Sequence, residues 1–217
     1  MLATGEIYHV FNKSIAEFKI FSYEKDILRI KQTLLYYLLS KTPTQLAIFL
    51  NSPKVKNMGF INTLKELEEK NTKQAQIIAY CIMPTHFHLI LKQLRNDGIV
   101  KFMGNVLNSY ARYYNAKIDR KGPLWVGPFK NVRVETDEQL LHLTRYIHLN
   151  PVTAAIVDSP EQWEASSYGE YTSNGGEMPI CDYIGFFNME AEQYRKFVDD
   201  GKDYQRALAK IKKLVLE

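Results

Sequence analysis

Apolar positions change period along this chain, and the changes mark out its elements. Glu6–Asn12 is rich in β-branched and aromatic residues, as a strand requires. Ile27, Ile30, Leu34, Tyr37 and Leu38 then recur at helical spacing, which predicts a helix over 23–40 with Ser22 as its N-cap. Residues 41–57 read as a polar, Pro-containing connection around a short apolar run, and a charged helix follows over 60–71. Ala75–Ile82 and His86–Lys92 read as two strands joined tightly through Met83-Pro84-Thr85, hence an antiparallel hairpin. Gly98 opens a helix to about residue 118, with Val100, Met103, Val106, Leu107, Tyr110 and Tyr114 as its apolar stripe. Gly and Pro break the chain over 121–129, and Asn131–Val134 forms a strand. Thr136, with Gln139 three residues on, caps another helix. Pro151 disfavours helical geometry in the residue before it, which predicts an end near Asn150. This order of elements predicts an α+β domain, an antiparallel sheet with helices on one face.

Composition narrows the class. The 217 residues, 46% hydrophobic and 12% aromatic, suffice for one domain with an extension, and no disordered or fibrous class fits. No signal-peptide pattern or membrane-length apolar run is read. Cys81 and Cys181 are far apart and form no metal or redox motif, so a reducing cytoplasm is expected. The net charge of +4 is unevenly spread. Residues 86–157 hold ten basic and five acidic side chains, whereas residues 158–200 hold two and ten. A basic segment points to a polyanion, nucleic acid first, with Lys92, Arg112, Lys130, Arg133 and Arg145 as candidate phosphate contacts.

The chemistry starts at His86-Phe87-His88. Side chains alternate along a strand, so the two imidazoles share one face. That arrangement suits a divalent metal, and it equally suits two histidines that merely line a sheet. Two ligands are an incomplete set. On the helix after Thr136, His142, Tyr146 and Asn150 fall four residues apart and line one face. A phenol one turn from an amide oxygen, beside a metal, is an arrangement for nucleophilic phosphoryl transfer. Packing explains any one of 14 tyrosines, and Asn before Pro is a common helix stop. Tyr114 is the rival nucleophile, although its helical stripe already gives it a packing role. His142 is placed to assist or to pack, and His148, two residues from Tyr146, points away.

His86-Phe87-His88, Gly122-Pro123-Leu124-Trp125 and Tyr146-Ile147-His148-Leu149-Asn150-Pro151-Val152 occur in this order. With Tyr8-His9-Val10, Met83-Pro84, Ser109–Asn115, Trp163 and Ser166-Ser167-Tyr168, they resemble the single-tyrosine transposases of IS200-like insertion sequences, REP-associated branch. The resemblance runs over residues 6–171 and implies a catalytic domain at 1–171, with an insert at about 41–74; the remaining extension at 172–217 reads as acidic and then as a basic helix at Tyr204–Leu216. It implies a ferredoxin-like fold. It implies His86, His88 and Asn150 as ligands of Mg²⁺ or Mn²⁺, and Tyr146 as the nucleophile that cleaves single-stranded DNA, with hairpin or palindromic repeats, through a 5′-phosphotyrosine link. A monomer or homodimer is compatible. Thr85, Val126 and Pro128 depart from the residues usual in that family. A domesticated nickase, a binding protein without catalysis and a small-molecule metalloenzyme are the rival functions.

Overall fold

The computed structural model describes residues 2–173, 178–202 and 205. Four strands, β1 (Ile7–Lys13), β2 (Ala75–Met83), β3 (His86–Gln93) and β4 (Lys130–Val134), form one antiparallel sheet in the order β2-β3-β1-β4. The expected α+β class and antiparallel sheet are present, and β2 and β3 turn through Pro84-Thr85 as a hairpin. Tyr8, Val10, Phe87, Leu89, Leu91, Tyr80 and Ile82 line one buried face. Against it pack α1 (Glu24–Leu38) and α5 (Gly98–Lys117), the layer of helices that the sequence predicts.

The opposite face gains a second layer. Ala79, Cys81, Met83 and Ile90 pack with Leu140, Ile147 and Leu149 of α6 (Asp137–Thr153), beside α7 (Tyr168–Thr172) and α8 (Ala191–Asp199). The helices therefore lie on both faces, because α6 presents its own apolar side to β2. The cover on this face is partial: Val134 of β4 is buried with the second layer, whereas Val132 is exposed.

Local chemistry departs from expectation at three places. Ser22 does not cap α1: its hydroxyl donates to Lys19 O, and Tyr23 stands at the N-cap. The polar connection expected after α1 is helical, with α2 (Leu46–Leu50) and α3 (Pro53–Met58) before α4 (Phe60–Glu68). Pro53 sits in the first turn of α3, where its missing N–H costs nothing, and Ser52 Oγ accepts from Val55 N–H. Finally, α6 does not stop at Asn150 but runs through Pro151 to Thr153. Pro151 removes one intrahelical bond, while Leu149, Pro151 and Val152 are all buried, so burial outweighs the local preference. The basic helix expected over Tyr204–Leu216 falls, apart from Gln205, outside the described residues.

The outer edge of β2 is closed. Ile82 N–H donates to Ala165 O, Trp163 Nε1 donates to Ile82 O, and Tyr171 Oη donates to Ile78 O at the β-bulge. Residues 178–202 pack on the same body, since Asp182 N–H donates to Ile77 O and Tyr183 stacks on Tyr171. No helix among the described residues is long and apolar enough to cross a membrane.

Gly98 opens α5 directly against the backbone before β2. A Cβ there would lie 2.0 Å from Gln74 O, a contact that only a shift of main chain relieves. Gly98→Ala should lower stability by about 3 kcal/mol or more, the upper range for overpacking, read as a reduced urea midpoint at unchanged slope.

Candidate functional site

β3 and α6 bring the main candidates together. His86 and His88 share the sheet face that α6 partly covers, with ring centroids 5.2 Å apart and planes nearly perpendicular. The Tyr146 ring stands edge-on to His88 at 6.2 Å. Tyr146 is 42% exposed, so its phenol is accessible from outside. Asn150 is the next residue on that helical face, one turn on. Its Nδ2 is buried with no hydrogen-bond partner among the described residues. Amide N and O exchange by a flip, so the same position can present Oδ1 to a cation.

β1 adds a residue that the sequence reading left out. Phe11 is the cross-strand partner of His88, and His9 lies two residues along on the same face. His9 Nε2 is 2.9 Å from His88 Nδ1, and the two rings stack at 5.1 Å. Burial holds His9 down at about 4. Burial, then the neighbouring His9 and His86, hold His88 at about 3. Burial and Lys13 lower His86 too. At neutral pH the three rings are uncharged, so one of His9 and His88 donates and the other accepts. If His88 donates through Nδ1, its Nε2 carries a free lone pair. The signal for His9 was present in Tyr8-His9-Val10, but only the β1–β3 register shows which face it joins.

The other candidates separate. Tyr114 lies on α5, across the sheet from the histidines, and its hydroxyl donates to Lys19 O. His142 Nδ1 accepts from Arg145 Nη2 and the ring packs on Phe197, so it takes the packing role. His148 does point away from Tyr146. Of the five candidate cations, only Lys130 flanks the histidine end of the face, as the cross-strand partner of Phe11. Lys13, opposite His86, joins it and was not singled out. Lys92 lies six residues from His86, about 20 Å along the strand, with its ammonium over Phe186. Arg133 is paired with Glu6 at 2.8 Å on the other face. Arg145 is folded under α8, its guanidinium 4.3 Å from the Phe197 ring and donating to Phe197 O. Arg112 sits on α5. The five do not form the single surface that the charge count suggested.

Residues 54–150 match the family model described as "Transposase IS200 like". Over this stretch the chain is similar to the IS200-like transposases. The match ends at Asn150 and contains His86, His88 and Tyr146; His9 lies outside it. None of the curated proteins matches. Among solved structures, "Structure of the REP associates tyrosine transposase bound to a REP hairpin" aligns with a TM-score of 0.51 at 14% identity. It covers 88% of this chain and 93% of that one, a likeness of fold.

His148 fixes the helix that carries Tyr146. It is fully buried, with Nδ1 2.8 Å from Tyr194 Oη and Nε2 2.7 Å from Ser167 Oγ. One proton arrangement satisfies every partner. Tyr194 donates to Nδ1, Nε2–H donates to Ser167, and Ser167 donates to Tyr80 O while accepting from Tyr80 N–H. A protonated ring has no lone pair left to accept from Tyr194, and burial holds the imidazole down at about 3. The unfolded chain binds this proton near pH 6.5 and the folded chain does not, so stability is full above 6.5 and falls as pH drops towards 3. Between pH 6.5 and 5 the loss from this residue should be about 2 kcal/mol. Urea unfolding at several pH values checks it: a slope no shallower in His148→Gln than in the parent would exclude this residue as its source.

Proposed function

We propose that this chain cleaves and rejoins single-stranded DNA with Tyr146 as nucleophile, in the manner of a transposase. The observation that carries the reading is the accessible Tyr146 phenol edge-on to His88, with His86 on the same face. The family similarity over residues 54–150 supports it, as does the REP hairpin bound in the structure of similar fold.

The donor set fits a divalent cation. Neutral imidazoles offer lone pairs, and Asn150 offers an amide with no protein partner among the described residues. No group of three His, Cys, Asp or Glu side chains placed to hold a metal ion occurs among the described residues, so a third protein ligand would come from the Asn150 amide oxygen. His86, His88 and Asn150 would hold Mg²⁺ or Mn²⁺, which supplies charge to the phosphate oxygens and to the departing oxygen.

The chain's own groups do the rest. Burial raises the Tyr146 pKa, so the phenol enters protonated. Its Oη forms a bond to phosphorus and gives up its proton as the P–O3′ bond breaks. The released 3′ oxygen takes up a proton, and the 5′ phosphate stays on Tyr146. A 3′-hydroxyl reverses the step and rejoins the strand, so no nucleotide cofactor is consumed. Lys13 and Lys130 border the face on which the phosphate would lie.

Two outcomes test this reading. Labelled hairpin-bearing single-stranded DNA with Mn²⁺ should form a denaturant-stable adduct. Tyr146→Phe should abolish it while DNA binding persists, and Tyr114→Phe should retain it. The reverse pattern would place the nucleophile on α5. Separately, His9→Ala should weaken Mn²⁺ binding to the DNA-free chain by about 10-fold to 100-fold, because His88 loses the acceptor that orients it. Electron paramagnetic resonance of free Mn²⁺ measures this. An unchanged affinity would mean that His9 does not orient the ligand.

A further inference from the structure

A second basic feature lies across the sheet from the histidines. α1, α5 and the start of the insert enclose a half-open cavity of about 420 Å³. Arg29, Gln45, Ser109, Arg112 and Lys117 line it, with Tyr37 and Tyr113 among its walls. No carboxylate lines this cavity among the described residues. The acid beside it, Asp26, is already used. It is buried, accepts from Lys117 Nζ at 2.7 Å and 2.8 Å, and accepts from Tyr113 Oη at 3.0 Å. That leaves Arg29 and Arg112 with no acidic partner among the described residues.

Arg29 makes the cavity more than a patch of charge. Its guanidinium is seated on the Tyr113 ring, 5.0 Å from the centroid. Its Nε is buried with no hydrogen-bond partner among the described residues. A buried N–H without an acceptor is destabilising, more so on a charged group, so a missing acceptor calls for an explanation. Arg112 stands exposed on α5, beside the Ser109 hydroxyl and across from the Gln45 amide. Guanidinium forks, a hydroxyl and an amide are a donor set for a phosphate group.

We propose that this cavity binds a backbone phosphate of a DNA strand, at a place separate from the cleavage centre and built partly by the insert. The choice of DNA rests on the function proposed for Tyr146; the phosphate chemistry does not.

The test uses the full chain with labelled hairpin DNA at several salt concentrations, and inorganic pyrophosphate alone by calorimetry. Arg112→Gln changes an exposed side chain, so folding is not at issue; Arg29→Gln is checked by thermal melting. Each should weaken DNA binding about 5-fold to 10-fold and lower the salt slope by about one phosphate contact. Adduct yield at saturating DNA should stay unchanged, since neither residue is near Tyr146. Pyrophosphate binding should fall in the same variants. DNA affinity and salt slope equal to the parent, with adduct chemistry intact, overturn the cavity proposal alone. Loss of pyrophosphate binding with DNA affinity unchanged also overturns it, and marks a site for a small phosphate ligand. A parent chain that binds pyrophosphate but neither binds nor attaches DNA overturns both this assignment and the role of Tyr146.

Discussion

The orientation of α6 rests on the hydrogen-bonded line from Tyr194 through His148 and Ser167 to the backbone of Tyr80. An α-helix turns by about 100° per residue, so residues two apart point about 200° apart. Tying His148 to the edge of β2 therefore rotates Tyr146 to the other side of the helix, where His88 lies. The same rotation carries Asn150 onto the Tyr146 face. Each partner in the line is buried, and a satisfied buried network fixes one arrangement because any alternative leaves a polar group unpaired. Apolar contacts alone would hold α6 on the sheet but let it roll.

The sheet supplies the complementary constraint. A one-residue slip between β1 and β3 would send His9 and Phe11 to the α1–α5 face and Tyr8 and Val10 to the site face. The register is protected by burial: Val10, Phe87 and Leu89 are fully or almost fully buried beneath α1 and α5. The loop before β4 reinforces it beyond the end of β1, where Ile15 N–H donates to Leu124 O and Val126 N–H donates to Lys13 O. Trp125 Nε1 donates to Leu107 O, so the Gly-Pro-Leu-Trp motif belongs to the scaffold.

Much of this was legible because it is local. Period-two spacing put His86 and His88 on one face, and four-residue spacing put Tyr146 and Asn150 on another. What was not legible depends on strand pairing or on competition with tertiary packing. His9 and Lys13 join the site only through the β1–β3 register. Pro151 reads as a helix stop from backbone preference alone, yet the burial of its neighbours carries α6 another turn. The charge count on 86–157 treated a stretch of sequence as a surface, whereas β-strand alternation and the two helical layers send Arg133, Arg145 and Arg112 to three separate environments.

The electrostatics of the site make one further demand. Three imidazoles lie close together behind exposed lysines, a cluster that would repel a cation if any ring were protonated. Burial resolves this by holding His9 and His88 well below neutrality, so the face offers lone pairs instead of charge. The same burial raises the Tyr146 pKa and makes the phenol a poorer nucleophile at rest. In the proposed reaction, desolvation would therefore favour the imidazoles as ligands and disfavour Tyr146 as the attacking group at once. In that reaction attack would gain only where positive charge entered between them, since a partly desolvated setting would strengthen its pull on phosphate oxygens. A face made wetter to ease ionisation of Tyr146 would raise the imidazole pKa values and weaken that pull, so the half-covered position of α6 serves both needs.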